Sequence, residues 1–303
     1  MTDKVPKLGL VLLVGLSFAW GLNWPAMKIV FNEIPLWTFR AWSCLVAGLL
    51  LLMLARLSRG RVVPRRDEWF SIALASVFNV LLWHVFIAVG VMKMASGHAA
   101  VLAFTMPVWS AMISVMFLGE RVTPRVLLAL ALGIGGIVAL LSRDFSGVGA
   151  SPLGAAFVLG AAIGWAVGTL YQKRQHWTIG TFAIAGWQLT LGCLPMFVVL
   201  PFVEGIHVPD ASLAAWLCAT YTTVVALVFA YYAWFKIVTL FPASIAGIGT
   251  LLTPVIGMLA GAVVLGEPFG LHEIAAVLLI GSALVLVIII PALKPRLAAA
   301  SAE

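Results

Sequence analysis

Charge is scarce in this 303-residue chain. Asp, Glu, Lys and Arg make up 10% of it and apolar residues 63%, against roughly 25% and 45–50% in soluble globular domains. That balance excludes an ordinary soluble protein. Carboxylates are rarer than cations, 11 against 18, and their placement is informative. Asp3, Glu33, Asp67, Glu68, Glu120, Asp144, Glu204, Asp210, Glu267, Glu273 and Glu303 all stand in tails, loops or the ends of apolar runs. A proton-driven carrier usually places a carboxylate at mid-span, and none is there. Cysteine is confined to Cys44, Cys193 and Cys218, an odd number inside apolar runs, which gives no disulfide framework. There is no His-Glu-x-x-His pair, Gly-x-Ser-x-Gly elbow, Gly-Lys-Ser/Thr phosphate loop or cysteine cluster. Gly133, Gly135 and Gly136 lie within an apolar run, where close helix packing accounts for them better than nucleotide binding. Neither an enzyme, a cofactor nor a metal site is expected.

What the chain has in abundance is long apolar runs, with a mean hydropathy of +1.13. A lipid-crossing helix needs about 20 mostly apolar residues. Runs at 8–31, 36–57, 69–91, 96–118, 124–142, 152–173, 180–203, 212–237, 243–265 and 271–290 meet that length or approach it. A membrane barrel would instead show segments of about ten residues alternating in polarity, whereas Val126 to Leu141 is apolar throughout. The fold class is therefore an all-α integral membrane protein with ten transmembrane helices. The first run follows Lys4 and Lys7 but continues through Trp20, Asn23, Trp24 and Pro25 with no small-residue cleavage pattern, so it reads as a retained helix.

Basic residues in short loops mark the cytoplasmic side. With the N-terminus inside, fourteen Lys and Arg fall on the inner side and only Lys93 and Arg143 on the outer. Both termini are then cytoplasmic. The cluster Arg56 to Arg66 reads as this topology signal, with contact to lipid headgroups; no aromatics interleave it for base stacking, and no nucleic-acid partner is expected.

Self-similarity appears at an offset of 145 to 147. Ala19-Trp20-Gly21 matches Gly164-Trp165-Ala166, Lys28 matches Lys173 and Trp42 matches Trp187. Pro107 with Leu118-Gly119-Glu120 matches Pro254 with Leu265-Gly266-Glu267. Two five-helix repeats, 1–146 and 147–303, follow, the second ending in a short cytoplasmic tail. An odd number of spans per repeat inverts the second. These residues, with Arg40, resemble the EamA domains of the drug/metabolite transporter superfamily over essentially the whole chain. The aromatic richness of the spans is most similar to the YddG-type amino-acid exporters of bacterial inner membranes. The resemblance implies a basket of ten helices around a central cavity, working by alternating access. Ala185 stands where the second half would match Arg40, a departure from internal symmetry.

Polar residues at mid-span, and rings grouped with them, are the candidates for lining a path. Trp20, Asn23, Trp24 and Met27 share one helical face, and Trp165, Thr169 and Gln172 repeat that pattern. Asn79, Trp83 and Phe86 share a face beside His84. Phe104, Thr105 and Trp109 flank Pro107, while Pro254 stands among Thr250 and Thr253; both prolines interrupt a helical ladder and serve as hinge candidates. Trp187, Gln188, Tyr221, Thr222, Tyr231 and Tyr232 complete the groups. The substrate-binding set is taken as Trp20, Asn23, Asn79, Trp83, His84, Phe104, Trp109, Trp165, Thr169, Gln188 and Tyr232. Glu120 and Glu267 are read as helix-terminating structural residues, and Lys28 and Arg40 as cations snorkelling at the outer interface or held in a structural pair.

The expected function is export of aromatic and hydrophobic amino acids and related metabolites by a monomer that needs only its small-molecule substrate and lipid. Other readings are a multidrug or other metabolite exporter of the same fold, or a non-transporting receptor. Without a mid-span carboxylate the movement is expected to be uncoupled, His84 being the only titrating candidate. Trp165→Ala and His84→Ala are each expected to reduce transport while leaving the protein folded. In vesicles carrying an imposed pH difference, substrate should equilibrate and no more; accumulation above equilibrium would overturn the uncoupled reading.

Overall fold

The computed structural model describes residues 7–93, 102–103, 105–118, 123–141, 152–205, 208–241, 246, 249–265 and 270–286. All described elements are helical. The chain begins with α1 (Lys7–Gly21) and α2 (Asn23–Phe31), which form one bent rod, followed by α3 (Leu36–Leu57). Next come α4 (Glu68–Ser76), a π-helical segment (Val77–Leu82) and α5 (Trp83–Lys93), again one continuous rod. Then follow α6 (Met106–Leu118), α7 (Pro124–Leu141), α8 (Pro152–Arg174) and α9 (Thr181–Val203). A third compound rod contains α10 (Leu213–Tyr221), a second π-helical segment (Thr222–Phe229) and α11 (Ala230–Leu240). The last helices are α12 (Leu252–Leu265) and α13 (Leu271–Leu284).

Six of these rods are long and apolar enough to cross a membrane: Lys7–Glu33, Leu36–Leu57, Glu68–Gly90, Pro152–Arg174, Thr181–Val203 and Leu213–Leu240. Shorter apolar helices accompany them. The protein is a multi-pass membrane protein, and its outer surface agrees: Phe202 and Val263 are each 86% exposed, a display of apolar area that only lipid tolerates. The runs expected from 96 and from 243 yield described helices beginning at Met106 and Leu252. Residues 94–101, 242–245 and 247–248, together with Phe104, Glu120 and Glu267, lie outside the described set. Pro107 and Pro254 fall in the first turns of α6 and α12, and helical residues also stand just ahead of them, at 102–103 and at 246 and 249.

The packing interleaves the two halves of the chain. The α1 helix lies against α11 and α12, whereas α8 lies against α5, the first π segment and α6. The α3 helix packs on α9 and on the second π segment; α9 in turn packs on α4 and the first π segment. At another side α7 and α13 join through Ala129, Leu130, Ile280 and Ala283. Each leading helix thus buries its face against helices of the opposite half.

Hydrophobicity cannot drive helices together in lipid, so close contact relies on small residues. The α3–α9 pair shows this directly. A Cβ on Gly48 would stand 2.9 Å from the Thr190 nitrogen and 3.0 Å from the Gly186 oxygen; one on Gly186 would stand 3.0 Å from the Gly48 oxygen. Backbone faces backbone there, and neither can turn away. Gly48→Ala and Gly186→Ala should each cost about 1–3 kcal/mol, as overpacking does. A lowered Tm of the detergent-solubilised protein is the expected readout, and an unchanged Tm would mean that the two helices can separate freely.

Candidate functional site

Pro25 is the local cause of the bend in the first rod. Its nitrogen cannot donate to Gly21, and the neighbouring Ala26 N–H reaches the Leu22 oxygen at only 3.5 Å, so the helical ladder is interrupted. Beyond the bend, Asn23, Trp24 and Met27 join Trp20 on the wall of an internal cavity. The π segments shape the remaining walls. A π turn is wider than an α turn and is common at functional sites. Trp83, His84 and Ile87 follow the first one, Ala226 and Leu227 lie in the second, and Tyr231 follows it. Ala103, Met106 and Thr253 close the space, with Trp165 across from the first rod.

The two π segments begin 145 residues apart, at Val77 and Thr222, and end 147 apart, at Leu82 and Phe229. The two-residue growth of the sequence offset therefore occurs inside this wide-turn segment. Each segment also has a carbonyl held by a ring from the opposite half. Trp20 Nε1 donates to the Ala226 oxygen at 3.0 Å, and the Tyr231 hydroxyl donates to the Asn79 oxygen at 3.3 Å.

Rings converge at the cavity floor. Trp165 is 2% exposed, with centroids of Trp20, Trp83, Tyr231 and Trp234 at 5.8, 5.0, 5.6 and 6.0 Å. Trp20 and Trp165 are themselves matched at the repeat offset of 145, and they touch. Tyr231 also meets His84 Nε2 at 3.3 Å, two residues 147 apart.

Of the sequence-selected residues, the structure gathers Trp20, Asn23, Trp83, His84 and Trp165 around this cavity. Phe104 lies outside the described residues, and the others stand elsewhere. Asn79 Nδ2 donates to Gln188 Oε1 at 2.8 Å, and Gln188 Nε2 donates to Gln172 Oε1 at 2.6 Å. These three buried amides satisfy mostly one another, away from the cavity wall. Thr169 is buried with its hydroxyl unpartnered. Trp109 donates to Thr105 Oγ1 at 3.1 Å, and Tyr232 stacks on Phe182 at 4.1 Å. Trp234, with 1% exposure, joins the ring cluster without having been singled out; it stands one α-helical turn after Tyr231 (i, i+3), a signal available in the sequence.

Arg40 is the chief correction. It does not snorkel to the interface: it is 8% exposed and lines the cavity. Its Nη2 donates to Met27 Sδ at 3.1 Å, and its guanidinium lies 5.5 Å from the Phe31 ring centre. Lys28, by contrast, is exposed. The cavity holds about 90 Å³, room for about three waters and well under the roughly 300–1,000 Å³ of drug-sized ligand sites. Helices must part before anything as large as an amino acid enters. Among the described residues, no three His, Cys, Asp or Glu side chains gather as a metal site.

Trp165→Ala would remove a packed ring as well as a wall, so it should cost about 3–5 kcal/mol of stability in addition to any effect on transport. Trp165→Phe retains much of the packing and removes the indole donor. The alanine variant should lose far more Tm than the phenylalanine one; equal losses would deny Trp165 its place as the packing centre.

The EamA-like transporter family profile matches the chain twice, over residues 7–142 and 152–289. An uncharacterized transporter of Bacillus subtilis, YvbV, is 27% identical over 94% of this chain and 93% of its own length. A probable amino-acid metabolite efflux pump of Escherichia coli is 24% identical over 92% and 93%. The uncharacterized inner membrane transporter YedA of Escherichia coli is 27% identical over 91% and 89%. A crystal structure at 18% identity shares the fold, with a TM-score of 0.79 over 93% of this chain and 97% of the other. With the family covering both halves, this chain belongs to the EamA-like transporters and is a membrane transporter.

Proposed function

We propose that the protein exports aromatic and hydrophobic amino acids and related small metabolites across a bacterial inner membrane. The observation that carries this reading is the ring-walled cavity centred on Trp165, built where helices of both halves meet. Rings face the apolar part of a solute, while Asn23, Thr253 and Arg40 offer polar groups for the rest. The relative named as an amino-acid metabolite efflux pump supports the substrate class.

In this reading, ten spans form two inverted five-helix repeats, 1–146 and 147–303, with both termini cytoplasmic and the monomer as the working unit. The leading helix of each repeat is seated on the other repeat, so rocking one bundle against the other opens the central cavity to alternate sides. Pro25 and the two π segments beside the cavity are places where helical ladders already depart from α geometry. With no carboxylate at mid-span, movement follows the solute gradient.

A competition panel in proteoliposomes tests the proposal. Aromatic amino acids should compete best for counterflow of labelled phenylalanine, branched ones less well, and small polar ones least. A ranking led by small polar amino acids would overturn the aromatic assignment, and the absence of flux for every amino acid and metabolite tried would favour a receptor.

A further inference from the structure

We propose that Arg40 anchors a carboxylate of the transported solute, so that the cavity selects molecules with one carboxylate beside an apolar or aromatic body. This rests on the transport reading above and specifies the chemistry of the same site. A guanidinium retains its charge when buried and offers five donors in a planar fork suited to a carboxylate. Arg40 is buried on the cavity wall, yet its contacts are a thioether at 3.1 Å and a ring face at 5.5 Å. Neither is an anion. A charge taken out of water without a counter-ion is expensive, and in membrane proteins such groups mark solute paths.

Among the described residues, three carboxylates are engaged elsewhere. Glu33 accepts from the Ser212 amide and hydroxyl, Glu68 from the Thr178 amide and hydroxyl, and Glu204 from the amides of Trp37 and Thr38. An ion pair of Arg65 with Asp67, at 3.5 Å, stands at the surface.

Two more donors on the cavity-lining residues, Trp165 Nε1 and Thr253 Oγ1, are buried without a partner. The wall therefore offers more hydrogen-bond donors than it satisfies internally, and a carboxylate supplies what is missing. One charge is the limit. No second cation lines the cavity among the described residues, and Ala185 occupies the place that repeats Arg40. A phosphate dianion would remain half neutralised.

The test compares L-phenylalanine with L-phenylalaninamide, which keeps the ring and the amine but lacks the carboxylate, as competitors of labelled phenylalanine counterflow in proteoliposomes of the full chain. On the wild-type protein the amide should compete at least about tenfold more weakly, the scale of a lost charge-assisted hydrogen bond. Arg40→Gln should raise KM for phenylalanine by a similar factor and abolish the difference between acid and amide; Arg40→Lys should retain part of it. Equal competition by acid and amide on the wild-type protein, or an acid preference that survives in Arg40→Gln, overturns the anchor while leaving aromatic transport intact. Should Arg40→Gln fail to elute as a folded species, the wild-type comparison and Arg40→Lys decide. Absence of flux for any aromatic solute removes the transport reading, and the anchor with it.

Discussion

In hydrocarbon, a backbone carbonyl released from its helical ladder has no water to turn to and must find a donor in the protein. Two wide turns in this molecule would violate that requirement if each half folded alone. The π segments at Val77–Leu82 and Thr222–Phe229 open the ladders of two central rods, and donors from across the molecule complete them. Trp20 reaches the Ala226 oxygen, and Tyr231 reaches the Asn79 oxygen. Each half supplies a ring that the other needs. The ring cluster around Trp165 includes both of these donors, Trp20 at 5.8 Å and Tyr231 at 5.6 Å between ring centres. Central rings, interleaved helices and the cavity are thus one arrangement seen at different scales.

At the helix ends the same requirement is met by carboxylates. Glu33 caps the start of α10 through Ser212, whose own hydroxyl accepts from the Ala215 amide at 3.2 Å. Glu68, at the start of α4, holds Thr178 in the turn before α9, and Glu204, at the end of α9, holds the first amides of α3. Unpaired amides at helix N-termini attract negative charge, and these contacts tie distant segments of the chain together. The sequence rule that acidic residues avoid mid-span thus has a physical counterpart. The few carboxylates serve where backbone donors are exposed.

Much of the architecture was legible because it follows from composition and period. Apolar run length located the rods, and the spacing of Trp20, Asn23, Trp24 and Met27 placed all four on the cavity wall. What escaped was information carried by pairs of distant residues. Asn79 and Gln188 look like lining groups when each is judged alone, since a buried amide in a span invites a functional reading. Only in three dimensions do they find one another and Gln172. Nothing in the local pattern of VFNVLL or TTVVALVF announces a π turn, because both are simply apolar and compatible with an ordinary helix. Arg40 was misjudged by depth: four residues from the start of α3 it should reach the interface, but it is buried against Met27 and Phe31 instead.

Equivalent corners of the two halves differ in how their polar groups are satisfied. At the 145 offset, Asn23, Met27, Arg40 and Ser43 correspond to Gly168, Gln172, Ala185 and Gln188. The second corner is filled. Asn79 presses so closely on Gly168 that a Cβ there would collide with it, and its amide joins Gln172 and Gln188 in a set whose donors and acceptors largely cancel. Replacing Gly168 by Asn23 and Ala185 by Arg40 gives the first corner bulk and charge that cannot cancel in the same way: Asn23 accepts from Thr222 and donates to Met27, leaving Arg40 with a thioether. A duplicated framework thus supplies one corner whose amides pair with one another, and one corner whose charged group has no anionic partner beside the cavity. Divergence between the repeats, rather than the duplication itself, gives the site its chemistry.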